Sequence, residues 1–487
     1  MTPRRSAAVM TAIAAVICPL MLAGAGQAAA GTAMPASAAA VAGTWGAAQK
    51  VPGAIALNSG GLAAVQSVSC ASAGNCSAGG YYTGRSGHHQ AFVVSQVNGT
   101  WHNAIEVPGT ATLNKGRNAN IFSVSCASAG NCSAGGYYTT DAFGHTQAFL
   151  VSQVKGTWRT AVKVPGTAAL NVHGNAEVNS VSCGSPGNCT AGGSYKDGSF
   201  RTQAFVVSEV NGTWRTAREL LGTAALNKGG NAGVVSVSCA SAGNCSAGGS
   251  YIGSSPGSLP FVASQVNGTW RSARAVPGAA ALMHGGALIT SVSCSTAGNC
   301  SAGGSYDDSS AHRQAFVVNQ VAGTWHSATQ VPGTAALNTG GNAYIYSLSC
   351  GSSGNCSAVG SYFTGYLHAF VANEVNGVWR TAIEVPGTVA LNQGKTAYAI
   401  SVSCASAGNC TAGGTYTDSA KRMQAFVVSE VNGTWGTAKQ VPGTGALNPG
   451  GNAYVESVSC TSAGKCSAGG GYTGSAGNRQ AFVATQS

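Results

Sequence analysis

One unit of 54 to 57 residues is copied eight times along this chain of 487, and a repeat of that length restricts the fold to a stacked array or a closed ring. Its pattern is G-T-W-x-x-A-x-x-V-P-G-T-A-A-L-N-x-G-G-N-A-x-x-x-S-V-S-C-A-S-A-G-N-C-S-A-G-G-x-Y, a variable stretch, then Q-A-F-V-V-S-Q-V-N. The tryptophans fall at Trp45, Trp101, Trp158, Trp214, Trp270, Trp325, Trp379 and Trp435. Each copy holds one cysteine pair: Cys70/Cys76, Cys126/Cys132, Cys183/Cys189, Cys239/Cys245, Cys294/Cys300, Cys350/Cys356, Cys404/Cys410 and Cys460/Cys466.

Within a copy, short β-branched or aromatic runs are punctuated by Gly, Asn and Pro, which is strand spacing and leaves no convincing helix. In the third copy the runs are residues 180–183, 189–195, 203–210 and, after Asn211-Gly212, 214–220, named strands A to D. Four antiparallel strands in a unit of this size make a propeller blade. The phase of the repeat selects a ring: it opens with a lone D strand, residues 45–51, and closes just after a C strand, residues 480–485. That first strand can complete the last blade and remove two unpaired edges, whereas an open solenoid calls for atypical capping repeats. The expected fold is an all-β, eight-bladed β-propeller of four-stranded antiparallel blades, closed by its N-terminal strand.

Strand composition agrees. In strand C, Ala91, Phe92, Val93 and Val94 put apolar groups on both faces, as a blade sandwiched between neighbours requires. Strand D carries Arg159 and Lys163 and stops at Pro165, which suits an outer edge. Strands A and B are rich in Ser, Cys and Gly, small enough for the crowded centre. Two cysteines per copy with no recurrent histidine cannot complete a tetrahedral metal shell, so the pairs are expected to be disulfides across the A–B hairpins, with no metal and no cofactor. Asn98-Gly99-Thr100, recurring at Asn211, Asn267 and Asn432, matches a glycosylation acceptor and a type I′ turn alike. Lys155-Gly156 and Ala322-Gly323 keep only the glycine, which favours the turn.

Residues 1–30 carry Arg4 and Arg5, an apolar run and the exit Ala28-Ala29-Ala30, the pattern of a cleaved secretory signal. Pro19, Gly24 and Gly26 interrupt the run and no stop-transfer charges follow, so no transmembrane segment is expected in the mature chain. Cys18 follows Val16-Ile17, which does not suit a lipoprotein site. Ala-rich residues 31–42 read as a disordered leader and 43–487 as the propeller. Seventeen cysteines less Cys18 leave an even sixteen, as in a secreted, extracellular protein, here expected to be a monomer. The net charge of +11 is dispersed: Arg159, Arg215, Arg271 and Arg380 follow their tryptophans around the rim. That argues against sequence-specific nucleic-acid binding and permits weak attraction to an anionic cell-wall polymer.

The A–B hairpins and C–D turns share one side of the disc, the D–A and B–C connections the other. On that second face the D–A loops repeat Asn58, Asn114, Asn171, Asn227, Asn338, Asn392 and Asn448, and strands B end at Tyr82, Tyr138, Tyr195, Tyr251, Tyr306, Tyr362, Tyr416 and Tyr472. Amides pair with sugar hydroxyls and rings cover apolar sugar faces, so these are the candidate ligand-binding residues; Asx turns and packing between blades are their structural alternative. The B–C loops vary most and hold five of the nine histidines: His88, His89, His145, His312 and His368. Asp141, Asp197, Asp307, Asp308 and Asp418 lie at their tips, where a carboxylate pair could serve glycoside chemistry. No nucleophile elbow, phosphate loop or HExxH motif is present, so no catalytic residue is assigned.

The run SVSCASAGNCSAGG with its NGTW and VPGTAALN partners resembles secreted repeat proteins of high-G+C Gram-positive bacteria grouped with sialidase-like, BNR-type propellers. The resemblance spans residues 45–487 and implies the fold. It transfers no activity, because the sialidase Asp-box S-x-D-x-G-x-T-W has no counterpart in Ser95-Gln96-Val97-Asn98-Gly99-Thr100-Trp101. The function expected is non-catalytic binding of a polysaccharide or other cell-surface polymer on the D–A/B–C face. A glycan hydrolase using B–C-loop carboxylates and a structural envelope protein are the alternatives.

Overall fold

The computed structural model describes residues 43–487 except 256. The expected signal, 1–30, and leader, 31–42, lie outside the described residues. Eight antiparallel sheets follow one another, each inner strand packing on the inner strand of the next and the last on the first. In the third blade strand A is Glu177–Ser185, B Asn188–Lys196 and C Thr202–Val210. The ring closes as the repeat phase requires: Gln49 and Lys50 pair with Val483 and Phe482, and Trp45 bridges to Gln486. Among the described residues no helix is long and apolar enough to cross a membrane.

Three local features depart from the sequence reading. Strand A begins earlier than residue 180, running through the variable residues that precede the S-V-S-C motif. Strand D is broken into Thr213–Trp214 and Arg218–Glu219, because between them the chain leaves the sheet and Ala217 donates its N–H to the Pro165 carbonyl of the preceding blade at 2.7 Å. That bond recurs around the ring, and Ala48 to Pro442 makes it across the closure. Each D–A connection also contains a one-turn helix, such as Thr167–Leu170, where a helix was not expected. Gly166 turns the chain at φ 86°, and the buried Thr167 hydroxyl donates to the Val164 carbonyl at 2.7 Å. Four residues are too few to show a helical period.

The inner edge of strand A would leave backbone N–H groups unpaired around the channel. The two serines of S-V-S-C in one blade accept two of them from the next: Ser67 from Val124 and Ser69 from Cys126, both at 2.9 Å. Ser457 and Ser459 close the belt on Val68 and Cys70. The glycines of A-G-G make room, since a Cβ on Gly80 would stand 2.0 Å from the Ala64 carbonyl oxygen and one on Gly79 2.9 Å from Ile121 of the next blade. Apolar contacts between blades form the core, with Val51, Phe92 and Trp101 meeting Ala481 and Val483 at the seam. The C–D turns are type I′, with Asn98 at φ 48° and Gly99 at φ 85°.

The cysteines pair as expected, within their own hairpins: Cys70–Cys76, Cys126–Cys132, Cys183–Cys189, Cys239–Cys245, Cys294–Cys300, Cys350–Cys356, Cys404–Cys410 and Cys460–Cys466. The structure adds a second role, at the joints between blades. The second cysteine of every pair, Cys76, Cys132, Cys189, Cys245, Cys300, Cys356, Cys410 and Cys466, is buried in the core between blades. Strand B has a strand on each side and a blade on each face, whereas strand A lies at the channel and leaves its cysteine partly exposed. Each buried sulfur also reaches a hydroxyl of the preceding blade. Cys132 lies 3.5 Å from Ser77, Cys189 3.5 Å from Ser133 and Cys300 3.4 Å from Ser246. Cys466 lies 3.3 Å from Thr411, and Cys76 makes the contact across the closure, 3.4 Å from Ser467. The disulfides are therefore structural parts of the joints between blades, and their inner sulfurs are closed to a ligand.

Candidate ligand-binding site

The two expected faces are present. Each C–D turn is tied to its own A–B hairpin, as Gly99 N–H to Gly74 O at 2.9 Å, and each D–A loop to the end of strand B, as Gly60 N–H to Thr83 O at 2.8 Å. The repeated tyrosines of the second face are buried, Tyr82, Tyr138, Tyr195, Tyr251, Tyr306, Tyr362, Tyr416 and Tyr472 all belonging to the interblade core. Tyr82, Tyr195 and Tyr362 donate their hydroxyls to Glu106, Glu219 and Glu384 of the outer strands.

The repeated asparagines are buried too. Asn114 Oδ1 accepts the N–H groups of Asn118 and Thr139, and its Nδ2 donates to the His89 carbonyl of the preceding blade. Asn58, Asn171, Asn338, Asn392 and Asn448 likewise accept the N–H four residues on and donate to a strand C carbonyl of the preceding blade. Asn227 donates to Thr202. These amides staple blades together. Met283 holds this place in the fifth blade, and there Asp307 accepts the Gly286 N–H while pairing with Arg313.

The B–C aspartates are also engaged. Asp197, Asp308 and Asp418 each close a turn by accepting the backbone N–H groups two and four residues on, and each takes a hydrogen bond from a glutamine side chain, Gln203, Gln314 or Gln424. Burial pushes these carboxyls up, but the hydrogen bonds outweigh it and hold them below the usual carboxylate range. Asp141 is held low chiefly by its hydrogen bond to His145. A general acid needs the opposite shift.

What remains open on this face is the channel mouth, built from positions that vary. Between the invariant Ala and the S-V-S-C motif stand three residues, the third at a β-bulge in every blade. The middle one, such as Val65, is buried against the preceding blade. The first pairs across the sheet with the residue before the repeated tyrosine, and bulk alternates between the two. Tyr344, Tyr398 and Tyr454 on strand A face Ser361, Thr415 and Gly471, whereas Ala64 and Asn120 face Tyr81 and Tyr137 on strand B. A Cβ on Gly471 would stand 2.7 Å from the Tyr454 hydroxyl. With the bulge residues Tyr346 and Phe122, these rings form an aromatic crescent over five consecutive blades, running through the closure from the sixth to the second. The other three blades place Glu177, Asn179, Gly233, Val235, Leu288 and Thr290 there.

Within the crescent Tyr346 stacks on Tyr344 at 6.0 Å and meets Tyr398 edge-on at 6.2 Å. Arg313 lies 5.3 Å over Tyr344, and Arg479 lies 5.7 Å over Tyr454. Tyr346, Tyr398, Ile400, Tyr454, Glu456 and Arg479 line a cavity of about 450 Å3. Burial pushes Tyr454 up to about 12 despite Arg479, and raises the Glu456 and Glu177 carboxyls above their usual range. At the loop tips above, the Phe143 and Phe200 rings are 90% and 69% exposed, Phe200 stacked on His173 at 3.5 Å. Rings, a carboxylate and a guanidinium around one open cavity are equipment for binding. The sequence signal for them was the three-residue window that changes while its flanks stay fixed.

No family model and no curated protein matches the chain. The structure shows the architecture that the resemblance implied, a propeller with a cysteine pair in every blade. Among solved structures, the chain is similar to Sqt1 of Chaetomium thermophilum, with 12% identity over 90% of this chain and 98% of that one and a TM-score of 0.46. It is similar to a xyloglucanase from Xanthomonas campestris, with 12% identity over 80% and 54% and a TM-score of 0.42. A Hadza microbial sialidase shows 12% identity over 70% and 73%, with a TM-score of 0.34. Likeness at this level carries no inference about function.

Proposed function

We propose that this is an exported, non-catalytic binding protein that holds a carbohydrate or other cell-surface polymer on the D–A/B–C face, with the channel mouth as its principal subsite. The aromatic crescent carries the reading. Seven aromatic side chains are gathered from five blades, at positions the scaffold leaves free to vary, and three of them, Tyr346, Tyr398 and Tyr454, line a cavity large enough for a sugar residue. The repeated tyrosines and asparagines, proposed from sequence as ligand contacts, support this surface from below by fixing the loops. Sixteen disulfide-bonded cysteines accord with life outside the cell.

The hydrolase alternative through B–C-loop carboxylates is disfavoured by Asp197, Asp308 and Asp418, which are held low and engaged in turns. A glycan array and a hydrolase panel test the assignment. Saturable binding without turnover, weakened at least tenfold by Tyr398→Ala, is the expected result. Turnover abolished by Asp308→Asn would replace it with the hydrolase, and silence in both assays with a structural envelope role.

A further inference from the structure

The crescent is chemically lopsided, and that lopsidedness selects among ligands. Its two resident cations are already placed. Arg313 is bidentate to Asp307 at 2.7 and 2.9 Å while lying over Tyr344. Arg479 lies over Tyr454, on the wall of the cavity. Both show that these ring faces accept a cation. On the same cavity wall, and among the described residues, Tyr346 and Tyr398 carry no such group and the Glu456 carboxylate has no hydrogen-bond or ion-pair partner. Thr415, on the same wall, is closed off, its hydroxyl donating to the carbonyls of Gln424 and Ala453.

An unpaired carboxylate in a half-buried aromatic pocket is unfavourable for the empty protein. A cationic ligand group entering there gains the Glu456 charge and the faces of Tyr398 and Tyr346 together, while the sugar or alkyl body attached to it covers Ile400. The incoming cation offsets the cost that burial places on the charged Glu456 carboxylate. The chain's net charge of +11 repels cations at long range, so any preference for a cation has to arise from this local arrangement.

We infer that the channel-mouth cavity is a subsite for an alkylammonium group, and that within the proposed glycan ligand this group is the free amine of an amino sugar. The second half of the inference rests on the glycan-binding reading and the first does not. Three probes separate them by titration calorimetry at neutral pH: a glucosamine oligomer with free amines, the N-acetylated oligomer of the same length, and tetramethylammonium. The wild-type protein is expected to bind the free-amine oligomer at least tenfold more tightly than the acetylated one, and to bind tetramethylammonium weakly but saturably. Glu456→Gln is expected to abolish both the preference and the tetramethylammonium signal while leaving the unfolding transition in place.

Equal affinity for the two oligomers, with no response to tetramethylammonium, overturns the cation subsite and leaves glycan binding standing. Binding of tetramethylammonium alone, lost in Glu456→Gln, keeps the subsite and removes the glycan. Silence with all three probes overturns the inference. A preference that survives in Glu456→Gln also overturns it, and Tyr398→Ala then shows whether the rings bind without the carboxylate.

Discussion

The Ser457 hydroxyl oxygen accepts the backbone N–H of Val68 at 3.0 Å, across 389 residues of sequence. The same bond joins Ser291 to Leu348 at 3.0 Å between the fifth and sixth blades. The seam of the ring is therefore built like every other joint, and the inner strands have no terminal edge. Removing the hydroxyl leaves a part-buried N–H without its acceptor, which costs about 1–3 kcal/mol. Ser457→Ala and Ser291→Ala are expected to lose similar stability in urea unfolding. A Ser457→Ala variant as stable as the wild type would show that the ends are not held as described.

The sixth blade breaks the A-G-G rule with Val359, and the seventh compensates. Where other blades set a glycine against a Val or Ile, Val359 packs in one buried cluster with Ala399. Val359→Gly leaves a void and Ala399→Val overfills the joint, each costing about 1–3 kcal/mol. The double variant restores the arrangement of the other joints. Its loss is expected to fall below the sum of the two single losses, measured as a double-mutant cycle in denaturant.

Three blades place Glu209, Glu374 and Glu430 where the others have glutamine, at Gln96, Gln153, Gln265, Gln320 and Gln486. Burial pushes these carboxyls up, and the hydrogen bonds each receives pull it only part of the way back. A folded-state pKa above the unfolded one means that the native protein holds these protons longer. The contribution to stability is complete below the unfolded carboxylate pKa of about 4.3 and is lost as the pH rises through the folded value. Glu374 receives its hydrogen bonds from Ser301 and Asn319, whereas the joint before it sets Gln320 against Ser264. Asn319→Ser with Glu374→Gln copies that joint. The double variant is expected to gain stability over the wild type between about pH 5 and about pH 8, with the gap closing toward about pH 4. A gap that widens toward acid would reverse the sign of the effect.

The architecture was legible because it is written eight times. Cysteine spacing, Asn-Gly turns and the phase of Trp45 against Phe482 each have a local physical meaning that needs no tertiary knowledge. The spacing of Cys126 and Cys132 revealed their bond, but the burial of Cys132 beside Ser77 depends on a neighbouring blade and was not legible. Nor was the one-turn helix at Thr167–Leu170, which is shorter than the period that would reveal it, or the break in strand D, which exists so that Ala217 can reach another blade. The proposed site was hidden by the same repetition. Recurrence drew attention to Tyr82 and Asn114, which also serve the joints between blades. Residues that differ among copies, Tyr398, Tyr454 and Tyr81, come together only once the A–B register and the ring closure are known.

The most direct test of the binding surface sets a crescent tyrosine against a repeated one. For whichever polymer the glycan array identifies, affinity is measured by calorimetry for the wild type, Tyr398→Ala and Tyr82→Phe. The account predicts at least a tenfold loss for Tyr398→Ala and less than a twofold change for Tyr82→Phe, whose ring stays in the core. Wild-type affinity in Tyr398→Ala alongside a large loss in Tyr82→Phe would contradict it.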